Sequence, residues 1–211
     1  MRFRALFAFL ILFPVVSAQQ GKLSMRAGYS YPFAPWGVWS EEVTSLYANN
    51  DLTFYPGDGY VLTFDAEIKS RKEFLSYRMG AFYHYGSRYD RFEDDNQLSE
   101  AWLYLSGAGI YGGVTLKAGW EHFGIFNTYS AGIFSFDYRG ELQYASKLGV
   151  MPVSIHIGEA VSGPGGKFEL GCYGEYKGIG IYPSFQMIFT HNRQSQALLL
   201  KTINISAGYR F

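Results

Sequence analysis

The sequence predicts an all-β chain folded as a closed antiparallel barrel, and three observations support this. Aromatic residues make up 19% of the chain and glycine occurs 25 times, while the mean hydropathy is close to neutral at −0.06. Apolar and polar residues alternate through most of the chain, which is the period of half-buried strands, and no helical stripe is present. Long and short connections alternate as well, which is typical of an up-and-down barrel with one plain and one elaborate end.

The first residues have the features of a secretory signal peptide. Arg2 and Arg4 precede an apolar run from Ala5 to Val16, and small residues lead to Ala18. This arrangement is that of a cleaved leader, and the run is too short for a permanent membrane helix. We therefore expect a signal peptide over 1–18, cleavage after Ala18, and one barrel domain over 19–211.

The charge and the cysteine content limit the classes of function. Without the leader, 16 basic residues face 18 acidic ones, a net charge of −2, and no basic patch indicates nucleic-acid binding. Cys172 is the one cysteine of the chain, so no internal disulfide can form in the exported protein. The fold must be stabilised by other means.

Ten segments carry the alternation, and we expect about ten strands, within a range of about 8 to 12. The predicted strands lie near 22–31, 59–69, 74–86, 99–107, 113–123, 133–145, 152–159, 167–176, 180–190 and 200–211. Residues 133–145 show the pattern most clearly, since Phe134, Phe136 and Tyr138 alternate with polar neighbours. Short turns are expected at SRKE, GAGIYG, SKLGV and KGIG, with longer loops between them.

Alternation alone does not say which face of the strands points outward. A soluble barrel directs its apolar side chains inward, whereas a membrane barrel directs them to lipid and keeps polar side chains inside. The polar face here is rich in Gly, Ser and Thr, as a crowded interior needs, and Tyr and Trp lie near strand ends. The loop asymmetry and the leader agree, so the sequence predicts a transmembrane barrel.

The whole expected mature chain resembles a small bacterial outer-membrane β-barrel protein. The sharpest motif is the last strand, which ends in Tyr209, Arg210 and Phe211 after alternating apolar residues. In that class, such an ending resembles the signal read by the barrel-assembly machinery. The resemblance implies residence in the outer membrane with lipids and lipopolysaccharide around a monomeric barrel, and it gives Tyr209 and Phe211 the role of an assembly signal.

A polar face turned inward would place a network of charges in the lumen. The predicted members are Arg26, Asp65, Glu67, Arg78, Glu100, Lys117, Glu121, Asp137, Arg139, Glu141, Glu169, Glu175 and Arg210. A barrel of this size is largely filled by its side chains, and buried charges must pair. We expect a closed polar lumen with a structural or surface-interaction role. A narrow channel is the alternative, and the excess of acids in this set would make it favour cations.

A lipid A or phospholipid acyl hydrolase is the second alternative, although the spacing of its candidate residues does not match a known site. His84, Ser87 and His122 are the candidates, because a nucleophilic site needs a serine beside a histidine. His84 and Ser87 are three residues apart, which places them on opposite faces of a regular strand. The lipid A deacylase family carries His and Ser two residues apart, but here Gly124 stands at the serine position after His122.

Neither a metal site nor a cofactor site is predicted. The four histidines lie far apart in sequence, and the EDDN run lacks the residues of a calcium loop. The glycines of SGPGGK match no phosphate-binding loop and predict a turn. The segment 32–58 is rich in aromatic residues, and we expect it to cover the barrel mouth as a lid.

Overall fold

The computed structural model describes residues 22–32, 58–93, 97–120, 122–146, 153–191 and 197–211, which form one closed antiparallel barrel. Each strand pairs with its neighbour in sequence, and the last strand returns to the first. The strands are β1 (Lys22–Pro32), β2 (Gly59–Lys69), β3 (Leu75–Glu93), β4 (Gln97–Gly119), β5 (Phe123–Ser146), β6 (Val153–Tyr176), β7 (Ile179–His191) and β8 (Ala197–Arg210). The predicted fold class is confirmed.

The barrel has eight strands, at the lower limit of the predicted range, because two pairs of predicted strands are continuous. Segments 99–107 and 113–123 form most of β4, and segments 152–159 and 167–176 belong to β6. Residues 124–132, which lie between two predicted strands, continue β5 instead of forming a loop. The predictions of a turn at GAGIYG and a turn at SGPGGK were wrong, because both stretches continue a strand.

The glycines inside β4 make room for aromatic rings in the lumen. A Cβ atom at Gly107 would lie 2.3 Å from Phe136, and one at Gly109 would lie 2.4 Å from Phe134. Both phenylalanines face inward from β5 and are fully buried. In β6, Pro164 is tolerated because the pairing with β7 starts only at Gly165, so the proline has a strand on one side alone.

Three short turns and both described termini lie at one end of the barrel, here named the turn end; the opposite end is the loop end. At the turn end, Lys177 (φ 50°) and Gly178 (φ 84°) connect β6 to β7. Positive φ at both positions matches the two-residue turn whose twist suits a β-hairpin. The barrel closes there as well, where the Phe211 amide donates to the Leu23 carbonyl oxygen over 2.8 Å.

The outward side chains form an apolar belt around the half of the barrel nearer the turn end. Between the turn end and about Tyr31, Tyr83 and Ile133, outward positions are almost all apolar or aromatic. Large exposed members are Met25, Phe64, Ile110, Ile125, Ile133, Leu170, Ile181, Ile203 and Ile205. Aromatic residues border the belt, with Trp120, Phe123, Tyr176 and Tyr209 at the turn end and Tyr29, Tyr31, Tyr60 and Tyr83 at the other. Such paired girdles mark the two interfaces of a bilayer.

Four consecutive strands are much longer than the rest. β3 to β6 contain 19, 23, 24 and 24 residues, whereas β1, β2, β7 and β8 contain 11, 11, 13 and 14. β6 continues for residues 153–164 beyond its pairing with β7, which is about 40 Å along the strand. Residues 87–93, 97–106, 135–146 and 153–162 therefore form a sheet beyond the belt, here named the projecting sheet.

Several predicted features lie outside the described residues. They are the signal peptide with its cleavage site, the lid within 32–58, Glu121 and most of the EDDN run. Across the part of the chain that the structure describes, no helix has the length and apolar character needed to cross a membrane.

The fit of Phe136 against Gly107 gives a test of the fold. We expect Gly107→Ala to lower the free energy of unfolding by about 1–3 kcal/mol, because a methyl group there overpacks the lumen. Gly174→Ala is the matched control, since a Cβ at Gly174 meets nothing within 4 Å. Urea unfolding of both variants in lipid vesicles measures the difference. Equal stability of the two variants would contradict the described packing.

Candidate functional site

The centre of the lumen holds an ion-pair cluster built around Glu169 of β6. The Arg26 guanidinium donates to Glu169 Oε1 over 3.1 Å and to Asp65 Oδ2 over 2.8 Å. Glu169 Oε2 lies 3.5 Å from both Arg78 Nη1 and Lys167 Nζ. All five residues are at most 7% exposed, so these charges are neutralised by one another rather than by water. We name this group the central cluster.

A second ion-pair cluster lies in the lumen at the turn end. Lys117 Nζ lies 2.6 Å from Glu67 Oε1, and the Arg210 guanidinium reaches Glu67 at 3.5 Å and Glu175 at 2.8 Å. The Tyr182 hydroxyl also donates to Glu175 over 2.9 Å. Arg210 thus joins acids from β2 and β6, and this turn-end cluster links the closing strand β8 to the rest of the barrel.

Aromatic rings separate the central cluster from an apolar cluster nearer the loop end. The Lys167 ammonium lies 4.0 Å from the Tyr111 ring centroid and 5.7 Å from that of Phe82. The Tyr111 hydroxyl donates to Asp65. Beyond this layer lies a buried apolar cluster of inward side chains, to which Phe82 also belongs: Phe82, Leu103, Leu105, Phe134, Phe136, Tyr138, Val161, Ile188, Leu198 and Leu200. A cation held by aromatic faces is favourable where water is absent.

The polarity of the strands reverses where they leave the belt. On β5, outward positions up to Ile133 are apolar or aromatic except Asn127, but Ser135, Asp137 and Arg139 follow on the same face. On the inward face of the same strand, the positions near the turn end are mostly small or polar, whereas Phe134 and Phe136 occupy the positions nearer the loop end. The physical reason is the change of surroundings, because an outward face beyond the bilayer meets water and the inward face becomes an ordinary apolar core.

This reversal corrects part of the predicted lumen network. The structure places eight of its residues inside, in the two clusters: Arg26, Asp65, Glu67, Arg78, Lys117, Glu169, Glu175 and Arg210. Glu100, Asp137, Arg139 and Glu141 point outward instead, on the projecting sheet. Their prediction was wrong because one polarity was assumed along a whole strand. Glu121 lies outside the described residues.

Lys167 is the lumen residue that the sequence prediction missed. It follows SGPGG, a predicted turn, although it lies two positions before Glu169 and so shares its face. The continued alternation through β6 was the signal that could have found it. With Lys167 included, the two clusters contain five cations and four acids, namely Arg26, Arg78, Lys117, Lys167 and Arg210 against Asp65, Glu67, Glu169 and Glu175. The expected cation preference of an open path is therefore not supported.

The outward face of the projecting sheet is exposed, polar and partly aromatic. Arg139 and Asp137 form an ion pair of 2.8 Å with side chains 74% and 43% exposed. Gln143 donates to Glu141 over 3.0 Å, and the Tyr89 hydroxyl donates to Glu100 over 2.8 Å. The Trp102 and Tyr89 rings lie 5.2 Å apart, centroid to centroid. The hydrogen bond with Asp137 raises the pKa of Arg139, and the hydrogen bond from Gln143 lowers the pKa of Glu141. The face therefore carries both positive and negative charges.

The candidate catalytic residues do not come together. His84 faces the lumen and is 1% exposed, whereas Ser87 is on the outward face. His84 Nε2 lies 3.0 Å from the Ser30 hydroxyl, a contact that sequence spacing could not reveal. Within the described chain, His84 Nδ1 has no hydrogen-bond partner, so no acid orients the ring. His122 is exposed at the turn end, where its nearest ring contact is Tyr176 at 6.4 Å.

No set of metal ligands is found among the described residues. Groups of three or more His, Cys, Asp or Glu side chains that could hold an ion do not occur in this part of the chain. Cys172 is exposed and lies on the outward face of β6 within the apolar belt.

Comparison with known proteins finds solved barrels but no sequence family. No family model matches the chain, and no curated protein matches it. Ail, the attachment invasion locus protein of Yersinia pestis, in a structure with the heparin analogue sucrose octasulfate, is 15% identical, with 90% of this chain and 99% of that chain covered and a TM-score of 0.45. A major outer membrane protein from Thermus thermophilus is 11% identical, with 90% and 99% covered and a TM-score of 0.42.

Neisserial surface protein A is a third similar structure. It is 9% identical, with 90% of this chain and 97% of that chain covered and a TM-score of 0.40. These proteins are bacterial outer-membrane β-barrels, and the likeness concerns the barrel architecture. The chain itself is an antiparallel up-and-down barrel with an apolar outward belt and a charged lumen.

Glu169 provides the sharpest test of the lumen. Glu169→Gln removes the charge that balances Arg26, Arg78 and Lys167, and we expect it to cost about 3–5 kcal/mol of unfolding free energy. Glu141→Gln, on the exposed face, is the matched control and is expected to leave the unfolding curve unchanged. Urea titration in vesicles reports both. If Glu169→Gln unfolds like the wild type, the central cluster does not hold the barrel together.

Proposed function

We propose that the protein is a bacterial outer-membrane barrel with a closed lumen that presents the projecting sheet at the cell surface. The observation that carries this proposal is the reversal of polarity along β3 to β6. The same strands are apolar outside in the belt and polar outside beyond it, so they cross a bilayer and then continue into water.

The contents of the lumen support the closed state. The central cluster is at most 7% exposed, and the apolar cluster next to it is at most 5% exposed. An ion following this route would have to separate Glu169 from its cations and then pass between buried aromatic rings. Both steps carry a large desolvation cost, so the lumen acts as a packed core.

The exposed face of the projecting sheet supports a surface-interaction role. It combines the Tyr89–Trp102 aromatic pair with the Arg139–Asp137 ion pair, and none of these belongs to the apolar core. Tyrosine, tryptophan and arginine are the residues that contribute most at binding surfaces. Below this face, Tyr60 stacks on Tyr85 at 5.4 Å, and this girdle is placed to meet lipopolysaccharide and lipids of the outer leaflet.

The closing strand fits the proposed assembly role of Tyr209 and Phe211. Both side chains are exposed at the turn end, at 47% and 74%, and their rings pack edge to face at 4.8 Å. Neither contributes to the lumen, so recognition by the barrel-assembly machinery can use them without disturbing the ion pairs. In this proposal the turn end faces the periplasm, the leader is removed after Ala18, and the barrel acts as a monomer.

Conductance measurements test the closed lumen. We expect refolded protein in planar bilayers to show no steady unitary current, because the ion pairs and the aromatic layer fill the path. Steady currents would contradict the closed lumen and favour the narrow channel. The five cations and four acids of the two clusters would then favour anions, and Lys167→Gln should weaken that preference while Lys177→Gln should not.

Labelling of single cysteines tests the orientation. In a Cys172→Ser background, Arg139→Cys should react with a membrane-impermeant maleimide on intact cells, because the projecting sheet lies outside. Glu73→Cys, in the exposed turn between β2 and β3, should react only after the outer membrane is permeabilised. The reverse pattern would mean that the turn end faces outward, and labelling of both cysteines only after permeabilisation would contradict the placement of the projecting sheet at the cell surface.

A further inference from the structure

A groove of about 670 Å³ runs across the outward wall of β1 to β5, within the apolar belt. Its outward lining comes from Leu23 and Met25 of β1, Phe64 and Ala66 of β2, and residues of β3, β4 and β5. Phe211 lines the groove at the turn end. The volume is within the range of about 300–1,000 Å³ that small-molecule pockets occupy. Asp65 and Tyr111 also border the groove, although the Asp65 carboxylate and the Tyr111 hydroxyl take part in the lumen contacts described above.

Strand register explains why the belt is grooved at this place. One ladder row joins Ala66, Met79, Gly112 and Ala131 across neighbouring strands, and three of these side chains are a hydrogen atom or a methyl group. The next row toward the loop end joins Met25, Phe64, Ala81, Ile110 and Ile133, and all of these except Ala81 are large. The small row is therefore a floor beside a wall of large side chains.

Gly112 leaves the middle of this floor open. A Cβ atom built at Gly112 would meet nothing within 4 Å, so the space above it is empty rather than occupied by a neighbouring side chain. Because the strands of such barrels tilt by about 35–45°, a row perpendicular to them rises from the turn end toward mid-membrane at a similar angle. The groove thus connects the turn-end interface with the hydrocarbon core.

Four basic residues follow or precede groove residues in sequence at the turn-end mouth, here named the basic mouth, although none of the four is among the residues that line the groove. Lys22 precedes Leu23, and Lys69, Arg71 and Lys72 follow Ala66 on β2 and in the β2–β3 turn; all four are exposed. Glu73 is the one acidic residue of the β2–β3 turn, 70–74. Within the described part of the chain, none of the four cations forms a salt bridge, so their charge is available to an anion at the interface.

We propose that this groove binds one anionic glycerophospholipid of the periplasmic leaflet, with an acyl chain along Ala66, Gly112 and Ala131 and the phosphate at the basic mouth. The inference rests on the proposed membrane placement of the barrel. Because the surrounding lipid is as apolar as the groove, burial of apolar surface alone does not favour a bound lipid over the lipids around the barrel. Retention comes from close packing of the chain on the small floor and from the attraction of the phosphate by four cations.

Native mass spectrometry tests the proposal on protein refolded in vesicles of phosphatidylethanolamine with phosphatidylglycerol and then released into mild detergent. Wild-type protein should retain one phospholipid, enriched in phosphatidylglycerol over its share in the vesicles. Gly112→Leu should lower this retention at least fivefold, because its side chain fills the groove. Ala131→Leu is a second filling variant, with the same expected loss, and keeps the test valid if Gly112→Leu fails to fold.

Matched controls separate the groove from general effects on the belt. Gly174→Leu adds the same side chain at an outward glycine that is also open but lies outside the groove, and it should retain lipid as the wild type does. Replacing Lys22 and Lys69 by glutamine should abolish the enrichment of phosphatidylglycerol, whereas Lys177→Gln should not. Equal retention in wild type, Gly112→Leu and Gly174→Leu would overturn the site.

The same experiment distinguishes this proposal from the one on which it rests. Heat-modifiable gel mobility shows whether each variant has folded into vesicles before lipid is counted. Wild-type protein that never inserts would contradict the membrane barrel itself. Inserted protein that retains zwitterionic and anionic phospholipid equally would contradict the preference for an anionic headgroup, and inserted protein that retains no phospholipid would contradict the site.

Discussion

The contact between Glu169 and its three cations is the interaction on which the rest of the molecule depends. Arg26 belongs to β1, Arg78 to β3 and Lys167 to β6, so a single carboxylate ties strands that lie on different sides of the lumen. A charged group at this depth is tolerated only when it is fully paired. The pairing joins these strands across the lumen. In the proposed function the lumen is a structural core, and recognition is left to surfaces outside it.

The bilayer imposes the second constraint, and it acts differently along one strand. On β5, Ile125 and Ile133 meet lipid, whereas Asp137 and Arg139 on the same face meet water. Inside, the order is opposite, from charged clusters near the turn end to phenylalanine and leucine near the loop end. Strands β4 to β6 therefore each carry one alternation pattern within the belt and the opposite pattern beyond it. The long strands serve both a membrane segment and an apolar core beyond it without a linker.

The sequence was sufficient for the fold class and for most of the lower lumen, because alternation there is regular and its polarity is constant. The sequence was insufficient where a glycine can indicate either a turn or the close approach of a neighbouring side chain. Gly107 and Gly109 resemble turn residues, yet they accommodate Phe136 and Phe134, and only the cross-strand register reveals this. The sequence prediction missed Lys167 for the same reason, because the glycines before it were interpreted as a turn. The contact of Ser30 with His84, which are 54 residues apart, depends on packing that no local pattern encodes.

The unequal strand lengths make two sides of the barrel different from each other. The four long strands are consecutive, so the projecting sheet rises from one half of the circumference while β7, β8, β1 and β2 end near the girdle. Counting only the strands that the structure describes, a molecule in the same membrane approaches long strands from one direction and short strands from the other. Rotation about the membrane normal decides which of these a neighbour encounters. Contacts made by these strands are consequently directional.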